Sequence, residues 1–190
     1  MKTIKTLSLI FASFLMIGLT SCSSDDDSTP PPVNEEEVIM TLTLTLTPAT
    51  GGSGPQVTMT SRDADGDGPN PPVVTVSGPL TFGTVYSGVV VVLNETETPP
   101  ENITEEVIEE DEEHQFFFFN SGGLDVTVTY NDQDGNGNPL GVLTQVDASG
   151  VSSGNLRVVL RHEPNKPNDG TLADAGGETD IDVTFPVTVQ

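Results

Sequence analysis

Residues 38–47, VIMTLTLTLT, place Val38, Met40, Leu42, Leu44 and Leu46 in alternation with Ile39, Thr41, Thr43, Thr45 and Thr47. A period of two puts every other side chain on one face of an extended chain, which defines a half-buried β-strand with its leucines inward. The pattern recurs at Val57 and Met59, at Val126, Val128 and Tyr130, and at Ile181, Val183, Phe185, Val187 and Val189. Residues 73–76, 85–93 and 156–162 add further strands, and the near-continuous apolar run of 85–93 predicts cover on both faces. Pro186 has no amide to give a ladder and so marks an edge strand. About nine short strands, parted by Gly, Pro, Asn and Asp turns, predict an all-β, antiparallel immunoglobulin-like β-sandwich over 38–190.

Two stretches copy each other at an offset of 69 positions: VTMTSRDADGDGPNPPV at 57–73 and VTVTYNDQDGNGNPLGV at 126–142. Each is an alternating strand that runs into a loop of the form D-x-D-G-[DN]-G. The repeat is too short for two domains and predicts one quasi-symmetric sandwich. Asp63, Asp65 and Asp67 occupy the first, third and fifth places of a calcium-loop pattern, and Asp132, Asp134 and Asn136 repeat them. The twelfth place, where a bidentate Glu belongs, holds Val74 or Leu143, and no helix flanks either loop. The loops therefore resemble the short calcium loops of bacterial extracellular β proteins rather than an EF-hand sensor. The other reading is a plain turn, since Asp, Asn and Gly tolerate positive φ and bond their own backbone.

Between residues 99 and 115 the alternation stops. Asn102 followed by Glu105 has the form of a helix start, with Ile103, Val107 and Ile108 on one face. Eight acidic residues and no basic one fall in 101–113, which reads as a solvated short helix or loop, or else as a docking surface for a basic partner. Phe116, Phe117, Phe118 and Phe119 follow, two rings to each face of a strand, so both faces require cover; burial between the sheet and the acidic helix would supply it. The Asn120-Ser121-Gly122-Gly123 turn then predicts a hairpin into Leu124.

His114 and His162 are the only histidines, and strand parity with Val158 and Leu160 points His162 inward. A pair of imidazoles can hold a transition metal or haem, but these lack H-x-H spacing, and a buried, hydrogen-bonded histidine is the competing account. No nucleophile elbow, P-loop, dinucleotide fingerprint or H-E-x-x-H occurs, so the expectation is a protein that is not an enzyme, with no catalytic residues.

The amino terminus reads as an export signal. Lys2 and Lys5 precede the apolar run 7–19, and Leu19-Thr20-Ser21-Cys22 resembles the lipobox of bacterial lipoproteins, which implies lipidation of Cys22, the only cysteine. Ser23-Ser24-Asp25-Asp26-Asp27 resembles the acidic signal of surface lipoproteins of the Bacteroidota, implying the outer membrane and its outward leaflet. Residues 23–37, polar, acidic and Pro-rich, form a tether that reaches at most about 50 Å. Without residues 1–21 the chain holds four basic and 29 acidic residues, a net charge of −25, which excludes nucleic acid and suits divalent cations or a basic partner.

The segments 161–170 and 176–183, together with His114-Gln115-Phe116-Phe117-Phe118 and the Asp-rich loops, resemble a group of flavobacterial lipoproteins, over most of the sequence after the leader. Some members carry the label of a type 1 periplasmic binding fold, which would need alternating β and α segments that this chain does not offer. The function expected is a lipid-anchored, non-enzymatic binding or structural module of the cell surface, stabilised by calcium. The alternative is capture of metal, haem or another small molecule for a transporter.

Overall fold

The computed structural model describes residues 37–190 apart from Asp67 and Glu97. The leader, Cys22 and the tether up to residue 36 lie outside the described residues. Nine strands and two short helices follow one another: β1 (Thr41–Pro48), β2 (Val57–Arg62), β3 (Val73–Val76), β4 (Thr84–Leu93), α1 (Ile103–Glu109), β5 (His114–Ser121), β6 (Thr127–Tyr130), β7 (Leu143–Ala148), β8 (Ser152–His162), α2 (Leu172–Ala175) and β9 (Glu178–Val189). They form an all-β antiparallel sandwich of a six-stranded sheet, ordered β3-β2-β1-β4-β7-β6, and a three-stranded sheet, ordered β5-β8-β9. The Leu42, Leu44 and Leu46 face of β1 is fully buried, with Val57, Met59, Tyr86, Val90 and Val92 around it. Phe116, Leu156, Val158, Leu160 and Phe185 join that core from the second sheet. Among the described residues no helix is long and apolar enough to cross a membrane.

The repeated sequence becomes two hairpins, β2–β3 and β6–β7, at opposite margins of the larger sheet. Their strands have exchanged places, because β2 is the inner strand of the first hairpin and β7 that of the second. Quasi-symmetry therefore stops at the hairpin. Strict antiparallel pairing still makes β2 and β6 run the same way, so both Asp-rich loops leave the sheet at one end. Thr41, at the start of β1, is opposite both Arg62 and Leu93, so the chain joins the domain at that same end.

Four expectations change. β4 alternates instead of being covered on both faces, and Val89 stays 40% exposed, because only one face of this sheet has a partner layer there. Asn102 makes no side-chain cap to the α1 backbone; its amide meets the Glu105 carboxylate instead (3.0 Å), and Ile108 is exposed while Thr104 is buried, bonded to Val92 across to β4. The turn after β5 does not close a hairpin: β5 pairs with β8, and the chain crosses to β6 in the other sheet. Phe117 and Phe119 are covered by Val159, Ala175 and Leu172 rather than by the acidic helix, since the 163–177 segment folds over the outer face of the small sheet. Pro186 does lie on an edge strand, β9.

Candidate metal centre

The first Asp-rich loop begins where the Asp63 amide donates to Met40 O (2.7 Å). Asp63 Oδ1 accepts from the Asp65 amide (3.2 Å), an Asx turn, and Asp65 Oδ2 accepts from the Asn70 side chain (2.6 Å) and its main-chain amide (3.4 Å). The Asn70 side-chain bond, foremost, holds the Asp65 carboxyl below its ordinary value. Asp67 lies outside the described residues. Asp63 and Asp65 open on a cleft of about 820 Å³ that Glu37, Glu95 and Asp180 also line. Burial, then the carboxylates of Glu106, Asp180 and Glu110, push Glu37 up to about 7. Arg62, at the end of β2, pairs with Glu95 (2.5 Å) at the surface.

The second loop is built otherwise. Asp132 turns its two oxygens onto the amides of Gly141 (2.7 Å) and Leu143 (2.6 Å). Gly141 is required there: its φ is +94°, and a Cβ would stand 2.8 Å from Phe116 Cβ. Asp134, whose side chain is fully buried, accepts from the amides of Asn136 (2.9 Å) and Asn138 (2.8 Å) and from the Asn138 side chain (3.1 Å). Asn136 takes part through its backbone. Lys166 Nζ lies 3.3 Å from Asp134 Oδ2 and donates to Asp111 O and His114 O, each at 2.6 Å. The ammonium of a buried lysine side chain thus occupies the position opposite the Asp134 carboxylate that a cation would take. Burial alone would raise the Asp134 carboxyl; the bonds from Asn138, then Lys166 and Asn136, leave it below its ordinary value.

His114 and His162, far apart in sequence, are direct cross-strand partners on β5 and β8. Both face the interior, exposed by 0% and 4%, and their rings stack with centroids 4.6 Å apart. His114 Nδ1 bonds Glu110 O (3.2 Å), which fixes the proton on Nδ1 and leaves the Nε2 lone pair; Nε2 is buried with no hydrogen-bond partner among the described residues. Burial, foremost, lowers the His114 pKa and so favours the neutral ring. Asp180 completes the group through a register shift in the β8–β9 ladder. Leu160 pairs with Ile181 and Arg161 with Thr179, so Asp180 is the extra residue of a bulge. Plain alternation would send Asp180 outward with Asp182; the bulge buries its side chain, 3.9 Å from His162 Nδ1. Gly177 makes the approach to β9 feasible, since its φ is +68° and a Cβ would meet His162 O at 2.2 Å. One donor atom each from His114, His162 and Asp180 lie within 4.8 Å of one another, and the same holds for Glu37, Glu110 and His114.

Sequence reasoning singled out the two histidines and all the loop carboxylates but assigned no role here to Asp180 or Glu37. Asp180 follows the Gly176-Gly177 pair and breaks the inward parity of Ile181, Val183 and Phe185, and that break is the signal a bulge leaves. Of the basic side chains on β8 and after it, Arg157 meets Asp182 and Lys166 meets Asp134, whereas Arg161 turns to Thr179 and to Leu172 O. No family model, curated protein or solved structure matches this chain.

Proposed function

We propose that this protein is a lipid-anchored, non-enzymatic binding module of the outer cell surface whose working end is the loop end of the sandwich, where it takes divalent cations. One observation carries the reading: Glu37, Asp63, Asp65 and Glu95, from three separate segments, line a single cleft whose described lining residues include no basic side chain, and Arg62 is bonded to Glu95. Carboxylate oxygens converging on a turning backbone suit a hard cation, so calcium belongs at the first loop. The second loop already has Lys166 and does not need one. The lipobox-like 19–22 segment supports an anchor at Cys22, and the acidic stretch after it supports the outward leaflet.

Melting of the full-length protein in detergent tests this. Extracellular calcium sites bind at about 10⁻⁴ to 10⁻³ M, so calcium at roughly 10 mM adds about 1.4–2.7 kcal/mol of stability. That is a rise of several degrees, absent in Asp65→Ala. An unchanged melting temperature in the unsubstituted protein contradicts the reading. Palmitate labelling lost in Cys22→Ser checks the anchor.

The second reading, capture of a cargo for a transporter, is favoured by the His114–His162 pair. Axial haem ligands approach from opposite faces of the macrocycle, and rings stacked at 4.6 Å leave no gap for one. The cargo this pair suits is a bare ion.

A further inference from the structure

We propose that His114, His162 and Asp180, with Glu37 as the fourth donor, form a site for one transition-metal dication of the zinc or copper(II) kind, separate in ligand chemistry from the calcium loop. The inference rests on the capture reading for its biological use and on the geometry alone for its chemistry.

Four independent features converge. First, imidazole nitrogen selects zinc, copper, nickel and iron, whereas calcium takes oxygen. Two neutral imidazoles with one or two carboxylates neutralise a dication in a buried place. Second, the Nδ1–H of His114 is held by a backbone carbonyl, the usual outer partner of a metal-ligating histidine, and it presents Nε2. That nitrogen is buried and otherwise unpartnered among the described residues. Third, the Asp180 carboxylate reaches the pair only because the β9 ladder is broken there, and bulges re-aim side chains at sites of this sort. Fourth, Glu37, at the start of the domain, brings a carboxylate oxygen within 4.8 Å of a ring nitrogen of His114. Donors around a tetrahedral zinc, at 2.0–2.1 Å from the metal, lie about 3.4 Å from one another. Three donors already within 4.8 Å need draw in by at most about 1.4 Å, within the reach of side-chain rotation.

The test uses untagged full-length protein, stripped with a chelator and given one equivalent of copper(II). Frozen-solution electron paramagnetic resonance is expected to show hyperfine coupling to two imidazole nitrogens. His162→Gln reduces this to one nitrogen, and Asp180→Asn keeps two nitrogens while weakening affinity at least about 10-fold. Asp65→Ala leaves the coupling to two nitrogens unchanged, so failure of the calcium reading and failure of this one are told apart. Absence of nitrogen coupling overturns the proposal, as does coupling that survives His162→Gln unchanged; the pair is then a structural contact of His162 with Asp180. If His162→Gln does not fold, X-ray absorption of the zinc-loaded unsubstituted protein decides: two imidazoles in the first shell support the site, and an all-oxygen shell overturns it.

Discussion

The two Asp-rich loops share their strand, their carboxylate spacing and two glycines, and they leave the same sheet at the same end. They differ in what faces the carboxylates. The first presents Asp63 and Asp65 to an acidic cleft; the second closes on itself, with Asp132 on two amides and Asp134 on Lys166, which arrives from a segment 32 residues later in sequence. A D-x-D-G-[DN]-G motif therefore supplies oxygens and a turn; in the second loop the positive charge beside them is a side chain, and in the proposal above an ion takes that place in the first. The bulge-borne Asp180 and the histidines follow the same logic nearby: the donors come from strands that become neighbours only once the small sheet is formed.

The comparison breaks most visibly at Lys166. Removing one member of a buried ion pair leaves an uncompensated charge, so Lys166→Met is expected to cost about 3–5 kcal/mol in urea unfolding. It also exposes Asp134, Asp111 O and His114 O as an oxygen cage, and calcium is expected to restore part of the loss. A cost below about 1 kcal/mol would mean that the ammonium is not what holds the second loop.

Next in size is Asp132→Ala, which strips an acceptor from the Gly141 and Leu143 amides and is expected to cost about 2 kcal/mol, with calcium or without. Acid should act on the same loop. The Asp134 carboxyl sits below its ordinary value of 3.8, so its contribution is present above that pH and is lost as pH falls through the lower, folded-state value. Lys166→Met, having lost one of the bonds that hold Asp134 down, should show a shallower acid limb in the same titration. The smallest expected effect is Asp65→Ala in calcium-free buffer, within about 0.5 kcal/mol because the group is exposed. Its consequence is confined to the calcium-dependent shift.

Much of this fold was legible in period-two hydrophobicity. The leucine face of β1, the inward His162 and the need to cover four phenylalanines on both sides follow from parity, and the edge position of β9 follows from the missing amide of Pro186. Parity does not say which strand pairs with which, so the turn at 120–123 passed for a hairpin when the chain in fact crosses between sheets. Nor does it survive a bulge: Asp180 lies out of phase by one residue, and that single insertion is what brings a carboxylate to the histidines. Lys166 as the partner of Asp134 was beyond reach for a related reason, because a cation supplied from across the fold leaves no local mark on the loop it serves.

Isothermal titration of calcium into the chelator-treated full-length protein tests the contrast most directly. One ion per chain is the expected stoichiometry, falling to none in Asp65→Ala and unchanged in Asp132→Ala. Two equivalent ions per chain, or binding that disappears with Asp132 and survives loss of Asp65, would contradict it.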